Sequence, residues 1–212
     1  MMSKMRKMRA FLIIGNKAVT GKFNLNDLPG SAGRMDIMCR CIASALFLSH
    51  DVRRDVEVYL LLLGPPDPPK VVKVVGGEVR YMAPDERNIG GLLSKALTLK
   101  VDKGWKVSTP GIYVARKTLE ELLDELVEKY ELYYLREDGR DIRNVGFGWN
   151  PLFILGDHLG VREDMENAIL KRCREIISIP TRKLQADHCI VITHYELDRL
   201  DRRDRRENRG EV

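Results

Sequence analysis

The sequence predicts an α/β domain built on a mostly parallel sheet, and three observations carry that prediction. Apolar runs of strand length at residues 10–15 and 56–63 are each closed by glycine or proline, the pattern of strands buried on both faces. Longer stretches between them gather apolar residues on one helical face. In the last third, strand-like and helix-like segments alternate quickly, as parallel βαβ units do.

Residues 10–15 (AFLIIG) make the first strand. Residues 16–32 are polar, carry Gly, Asn and Pro, and are long enough to be a functional loop. A helix is expected over 33–50, where Met35, Met38, Cys39, Ile42, Leu46 and Leu48 supply much of an apolar face. Residues 56–63 form a second strand, broken by Pro65, Pro66, Pro68 and Pro69. Residues 70–82 are expected to fold as a hairpin turning at Gly76 and Gly77. Pro84, Asp85 and Glu86 open a helix with acidic residues where its dipole favours them. Residues 108–114 read as a turn leading to a short extended segment, and 118–130 as an amphipathic helix capped by Thr118. Strands follow at 131–135, 150–155 and 175–179, with helices at 162–171 and 184–200.

Hydrophobic residues make up 44% of the 212-residue chain and charged residues 32%, which excludes a disordered chain and suits one well-cored domain. The net charge of +5 favours an acidic partner such as nucleic acid, or simply a charge-rich surface. Cys39 and Cys41 are too closely spaced for a zinc knuckle. Neither Cys173 and Cys189 nor the scattered histidines complete a site, so no metal is expected. No run is long and apolar enough to span a membrane and no signal peptide is recognisable, which reads as cytoplasmic.

Several strand ends carry polar, glycine-bearing turns. Residues 153–160 (FILGDHLG) run from an apolar strand into a turn bracketed by Gly156 and Gly160. Ligands of open α/β sheets sit beyond such carboxyl ends, although a plain strand-to-helix connection looks the same. Residues 177–184 (ISIPTRKL) repeat the pattern, with Pro180 stiffening the turn. The strand at 131–135 supplies a third end, and the three together define one crevice. In the amino-terminal half Asp27, Arg34, Asp36, Arg40, Asp51, Arg53 and Arg54, then Asp85, Glu86, Arg87 and Asn88, interleave acids and guanidinium groups around loops and helix starts. These suit phosphates and a base edge, or equally an internal ion-pair network. No Ser–His–Asp or Cys–His arrangement is visible.

Segments 16–17 (NK), 27–36 (DLPGSAGRMD), 39–41 (CRC), 47–55 (FLSHDVRRD), 84–88 (PDERN), 108–114 (STPGIYV), 156–160 (GDHLG) and 187–189 (DHC) together resemble the archaeal tRNA pseudouridine-54 N1-methyltransferase family, of the SPOUT superfamily. The resemblance spans about residues 9–200. It leaves a basic extension at 1–8 and a charged tail at 201–212, which reads as a solvated, fraying helix end or an RNA-touching arm. It implies a single SPOUT-like domain with a C-terminal trefoil knot, a homodimer, S-adenosylmethionine as cofactor and tRNA as substrate.

By matching segments, it implies cofactor contacts from Leu132, Tyr133, Gly156, Ile179, Pro180, Thr181, Arg182, Lys183, Leu184 and Cys189. Asp36, Asp27 or Asp51 is expected to contact the base or accept its proton, and Arg34, Arg40, Arg53 and Arg54 to hold RNA. The alternatives are a ribosomal-RNA pseudouridine N1-methyltransferase, a non-catalytic RNA-binding or assembly factor of the same fold, and a nucleotide-binding module without methyl transfer.

Overall fold

The computed structural model describes residues 8–180 and 182–207, and at 204, 205 and 207 the backbone alone. In chain order the elements are β1 (Arg9–Gly15), α1 (Met35–Leu46), β2 (Val56–Leu62), β3 (Lys70–Val75), α2 (Glu86–Leu97), β4 (Lys106–Thr109), β5 (Ile112–Ala115), α3 (Leu119–Val127), β6 (Glu131–Asp141), β7 (Pro151–Gly156), α4 (Glu163–Leu170), β8 (Glu175–Ser178) and α5 (Ala186–Glu207). One eight-stranded sheet runs β4-β5-β3-β2-β1-β7-β6-β8. The pairs β2/β1, β1/β7, β7/β6 and β6/β8 are parallel, and β2/β3, β3/β5 and β5/β4 are antiparallel.

β1 lies at the centre and is buried along its whole length, which is why it reads as an unbroken apolar run. Its alternate side chains feed two cores. Phe11 and Ile13 pack under α1, α2 and α5 through Met38, Leu93 and Ile190. Ala10, Leu12 and Ile14 pack under α3 and α4 through Leu122, Leu126 and Ile169. Each helix therefore hides one apolar stripe against one face of the sheet. α3 begins where expected, with a full capping box between Thr118 and Glu121, which satisfies two backbone N–H groups.

Four expectations are corrected. α1 stops at Leu46: Phe47 turns extended and pairs with Val52, leaving Leu48 47% exposed. The chain does turn at Gly76, but residues 78–82 do not return along β3. Glu78 and Val79 both donate their N–H to Val75 O, while β3 pairs instead with β5, whose partner is β4. The hairpin is therefore β4–β5. β6 extends past Leu135 to Asp141, and Ile177 of β8 is a register partner of both Leu135 and Arg140. The register shifts there, with residues 136–139 standing against no additional residue of β8, and Ser178 Oγ donates to Gly139 O at 2.8 Å.

The fourth correction concerns the tail. α5 continues through residue 200 to Glu207 because its charges have partners. Arg9 donates to Asp198 and Asp201, each at 2.7 Å, and Arg53 donates to Asp198 at 2.7 Å. His194 of α5 donates Nε2–H to Ala45 O at 2.9 Å, and its Nδ1 faces Arg9 at 3.3 Å. Residues 1–7 and 208–212, where the rest of the two terminal expectations falls, lie outside the described residues.

Candidate active site

β1, β7, β6 and β8 are parallel, so their carboxyl ends lie along one edge of the sheet. β1 has β2 on one side and β7 on the other. Strand order therefore reverses there, and an open α/β sheet leaves its ligand crevice at such a point. A cavity of about 1020 Å³ opens along this edge, walled by the end of β7, residues 134–138 of β6, residues 179, 180 and 182–185 after β8, and the first turns of α1 and α5.

The 156–160 turn is stitched across the strand ends. Asp157 donates its N–H to Ile14 O at 3.0 Å. Its buried carboxylate accepts from Asn16 N and Asn16 Nδ2, each at 2.8 Å, and from Leu159 N at 2.9 Å. Asn16 Nδ2 also donates to Gly160 O at 2.8 Å. The turn closes so tightly that a Cβ on Gly156 would stand 2.2 Å from the Gly160 carbonyl carbon. Gly156 is needed for that close approach, and the ligand's share of the space comes after it.

Gly156, Ile179, Pro180, Arg182, Lys183, Leu184 and Cys189 all line the cavity, while Thr181 lies outside the described residues. Leu132 and Tyr133 do not reach it. They sit mid-strand opposite Leu152 and Phe153, buried in the two cores, and Tyr134 and Leu135 face the cavity in their place. Burial on both faces had removed the alternation that would have told neighbouring residues apart.

The acid–guanidinium set divides. Arg34, at the start of α1 in the left-handed region (φ 68), lines the cavity and clasps Asp36 with Nε and Nη2, both at 3.0 Å. Arg40 reaches Asp36 at 2.9 Å, and Glu86 and Gln185 at 3.4 Å each. Burial pushes the Asp36 carboxyl up, and the two guanidinium groups overcome it, holding it below the usual carboxylate range. Asp27 accepts from Gly30 N and Ser31 N at 3.1 and 2.7 Å, and the bond to Ser31 above all lowers its pKa. Asp51, Arg53 and Arg54 precede β2, so they lie at the amino ends of the parallel strands, opposite the cavity. There Arg53 anchors α5 and Arg54 stands 3.8 Å from Asp51.

Burial pushes the Cys39 and Cys189 thiols up, to about 12 and about 11, and holds Cys41 well above the usual thiol range. None is a thiolate at neutral pH, so no cysteine serves as nucleophile. Among the described residues no three His, Cys, Asp or Glu side chains gather as a metal site, and no helix is long and apolar enough to cross a membrane. Sequence reasoning passed over Asp157, whose motif it used only for its glycines. It also passed over Arg136, which bridges Asp138 at 2.6 Å and Glu166 at 2.9 Å on the cavity wall. Two acceptors beside the wall residues, Asn16 Oδ1 and Asp187 Oδ1, are buried without a hydrogen-bond partner among the described residues.

A profile describing SAM-dependent RNA methyltransferases matches residues 8–202. The chain is 50% identical over 207 residues to a tRNA (pseudouridine(54)-N(1))-methyltransferase of Methanosarcina acetivorans, covering 97% of this chain and 95% of that one. It is 46% identical over 200 residues to the protein of the same name from Methanocaldococcus jannaschii, covering 91% and 97%. Among solved structures, Archaeoglobus fulgidus Nep1 bound to S-adenosylhomocysteine superposes with a TM-score of 0.58 at 15% identity, covering 93% of this chain and 99% of that one. That likeness establishes a shared fold.

Proposed function

We propose a function from one premise: this chain belongs to the SAM-dependent RNA methyltransferase family. It transfers a methyl group from S-adenosylmethionine to N1 of pseudouridine 54 in the T-loop of tRNA. The observation that carries the choice of RNA and base is half-identity, across nearly the full length of both chains, to relatives bearing that name. The reaction belongs in the cytoplasm, with tRNA.

The donor fits the cavity at the strand ends. At about 1020 Å³ the space suffices. Leu135, Leu155, Ile179 and Leu184 give it an apolar wall for a purine face, and the main chain at 156–160, 179–180 and 182–184 supplies polar groups to orient it. The unpartnered Oδ1 atoms of Asn16 and Asp187 beside that wall accept donors that the protein does not provide. When bound, S-adenosylmethionine supplies a methyl already activated by its sulfonium. The chain's task is then binding, alignment and exclusion of water.

N1 of pseudouridine carries a proton that must leave. Asp36 is held ionised by Arg34 and Arg40 and is a weak base. We assign it to positioning, fixing Arg34 at the cavity so that the guanidinium polarises a uracil carbonyl and acidifies N1–H, whose proton then leaves to solvent. Arg40 holds a flanking phosphate. Asp27 shapes its own loop. The chain forms one domain over 9–200 with charged extensions, and its C-terminal part threads a trefoil knot, a reading that rests on membership of the family. It acts as a homodimer through α5, where Val191 and Tyr195, one helical turn apart, stand 52% and 61% exposed on the helix whose first turn borders the cavity.

The test is mass spectrometry of nucleosides from tRNA carrying pseudouridine 54, after incubation with the protein and S-adenosylmethionine. One added methyl on that nucleoside is expected. Methylation of a ribosomal-RNA pseudouridine in its place would move the assignment to that RNA, and none on either would leave an RNA-binding factor.

A further inference from the structure

Outside the cavity, two stretches carry the basic excess of the molecule: residues 1–22, with six lysines and arginines and no acidic residue, and residues 70–117. Residues 70–117 hold ten lysines and arginines against four acidic residues, a net +6 where the whole chain carries +5. Arg80, Arg87, Lys95 and Lys100 are exposed, and none of them meets a carboxylate among the described residues. This stretch includes the loop from β3 to α2, and at its tip stands Tyr81.

Tyr81 is 80% exposed, and its backbone lies in the left-handed region at φ 64. A tyrosine pays for that conformation, and an exposed ring recovers nothing by packing. The loop is nonetheless held in place. Asn88 of α2 accepts from Ala83 N at 2.8 Å and donates to Tyr81 O at 3.4 Å, while Asp85 caps the helix by accepting from Asn88 N at 2.8 Å. The ring meets no other ring or cation among the described residues.

The loop leaves β3 at the amino edge of the parallel strands, where Gly76 donates its N–H to Val56 O, and leads into α2, whose first turn reaches towards the cavity. Arg87 donates to Asn26, in the segment leading to Arg34, at 2.8 Å. Arg40 touches both Glu86, beside Arg87, and Gln185 of the cavity wall. A strained, rigidly presented aromatic face among cations that meet no carboxylate, on the loop before a helix whose first turn reaches towards the site for a nucleobase, has the chemistry of a single-stranded RNA platform. Bases stack on the ring while cations follow the phosphates.

We propose that Tyr81, with Arg80 and Arg87, is a second RNA-binding site that stacks on an unpaired nucleobase of the tRNA, outside the pocket that receives the target base. This rests on the reading that RNA is the substrate. It adds a contact that the donor cavity does not contain, and charge complementarity selects RNA over a second copy of this basic chain.

Two variants test it. Tyr81→Gly removes the ring and suits the left-handed backbone, so its melting temperature should equal or exceed that of the wild type. Its Kd for pseudouridine-bearing tRNA in a filter assay should weaken about tenfold. KM for tRNA should rise with it, while kcat at saturating tRNA and calorimetric binding of S-adenosylmethionine hold. Tyr81→Phe should bind tRNA as the wild type does. Wild-type affinity in Tyr81→Gly would overturn the proposal. So would loss of RNA binding accompanied by a smaller oligomer in light scattering, which would assign the ring to a second copy of the chain. Wild-type protein that binds tRNA without methylating it would refute the enzymatic reading alone, and the Tyr81 comparison would still decide this one. Wild-type protein that does not bind tRNA would refute both.

Discussion

Arg34 lies where local backbone and function meet. Its left-handed φ opens α1 without a side-chain cap, and its guanidinium grips Asp36 through two bonds. Removing it leaves a buried carboxylate with Arg40 alone. Arg34→Ala should therefore cost about 1–3 kcal/mol of stability and lower tRNA turnover, with affinity for S-adenosylmethionine unchanged by calorimetry. Arg34→Lys should restore little, because an ammonium cannot reproduce the planar two-point grip. His194 gives a prediction in pH. Burial first, then Arg53 and Arg9, push its pKa from 6.5 down to about 3. The unfolded chain takes up that proton at a higher pH than the folded one. The stabilisation is complete above 6.5 and is lost as pH falls towards 3. Urea unfolding between pH 6.5 and 4.5, above the range where most carboxyls titrate, should show a slope approaching about 1.4 kcal/mol per pH unit. His194→Gln, which keeps a donor for Ala45 O, should flatten it.

Among the elements, the 156–160 turn separates two ways a glycine can matter. At Gly156 an added Cβ would collide with the backbone of Gly160, while at Gly160 it would meet open space on a backbone at φ 74. Gly156→Val should open the turn and abolish donor binding. Gly160→Ala should cost about 1–2 kcal/mol in backbone strain and retain most of that binding. Calorimetric titration with S-adenosylhomocysteine distinguishes the two. The turn was legible in the sequence because an apolar run ending in spaced glycines is a local pattern, and so were β1, β2 and the Thr118 cap. The partner of β3 was not, because residues 78–82 and 112–115 can both offer an edge and tertiary packing chose the latter. Tyr133 and Tyr134 could not be told apart, since both faces of β6 are buried there. The misplaced Asp51, Arg53 and Arg54 were legible in principle. Residues just before a parallel strand lie at its amino end, away from a crevice built at carboxyl ends.

At the scale of the molecule, the cavity joins segments that are remote in sequence. Arg34 and Ile37 come from one, residues 134–138 from a second, 155–161 from a third and 179–189 from a fourth. Each connects to a different strand or helix of the same sheet, and the two cores share β1. A ligand contacting all four segments is bound by the folded domain and not by the open chain. Its binding energy should therefore appear as stability of the whole. At a hundredfold excess over Kd that linkage is worth about 2.7 kcal/mol, or about 5–10 °C in melting temperature for a domain of this length. Calorimetry should show one transition moving upward with the logarithm of S-adenosylmethionine concentration, and Gly156→Val should remove the shift. A split into two transitions, with one unmoved, would mean that the sheet does not unfold as a unit. It would also mean that the strand-end crevice is coupled to only part of the fold.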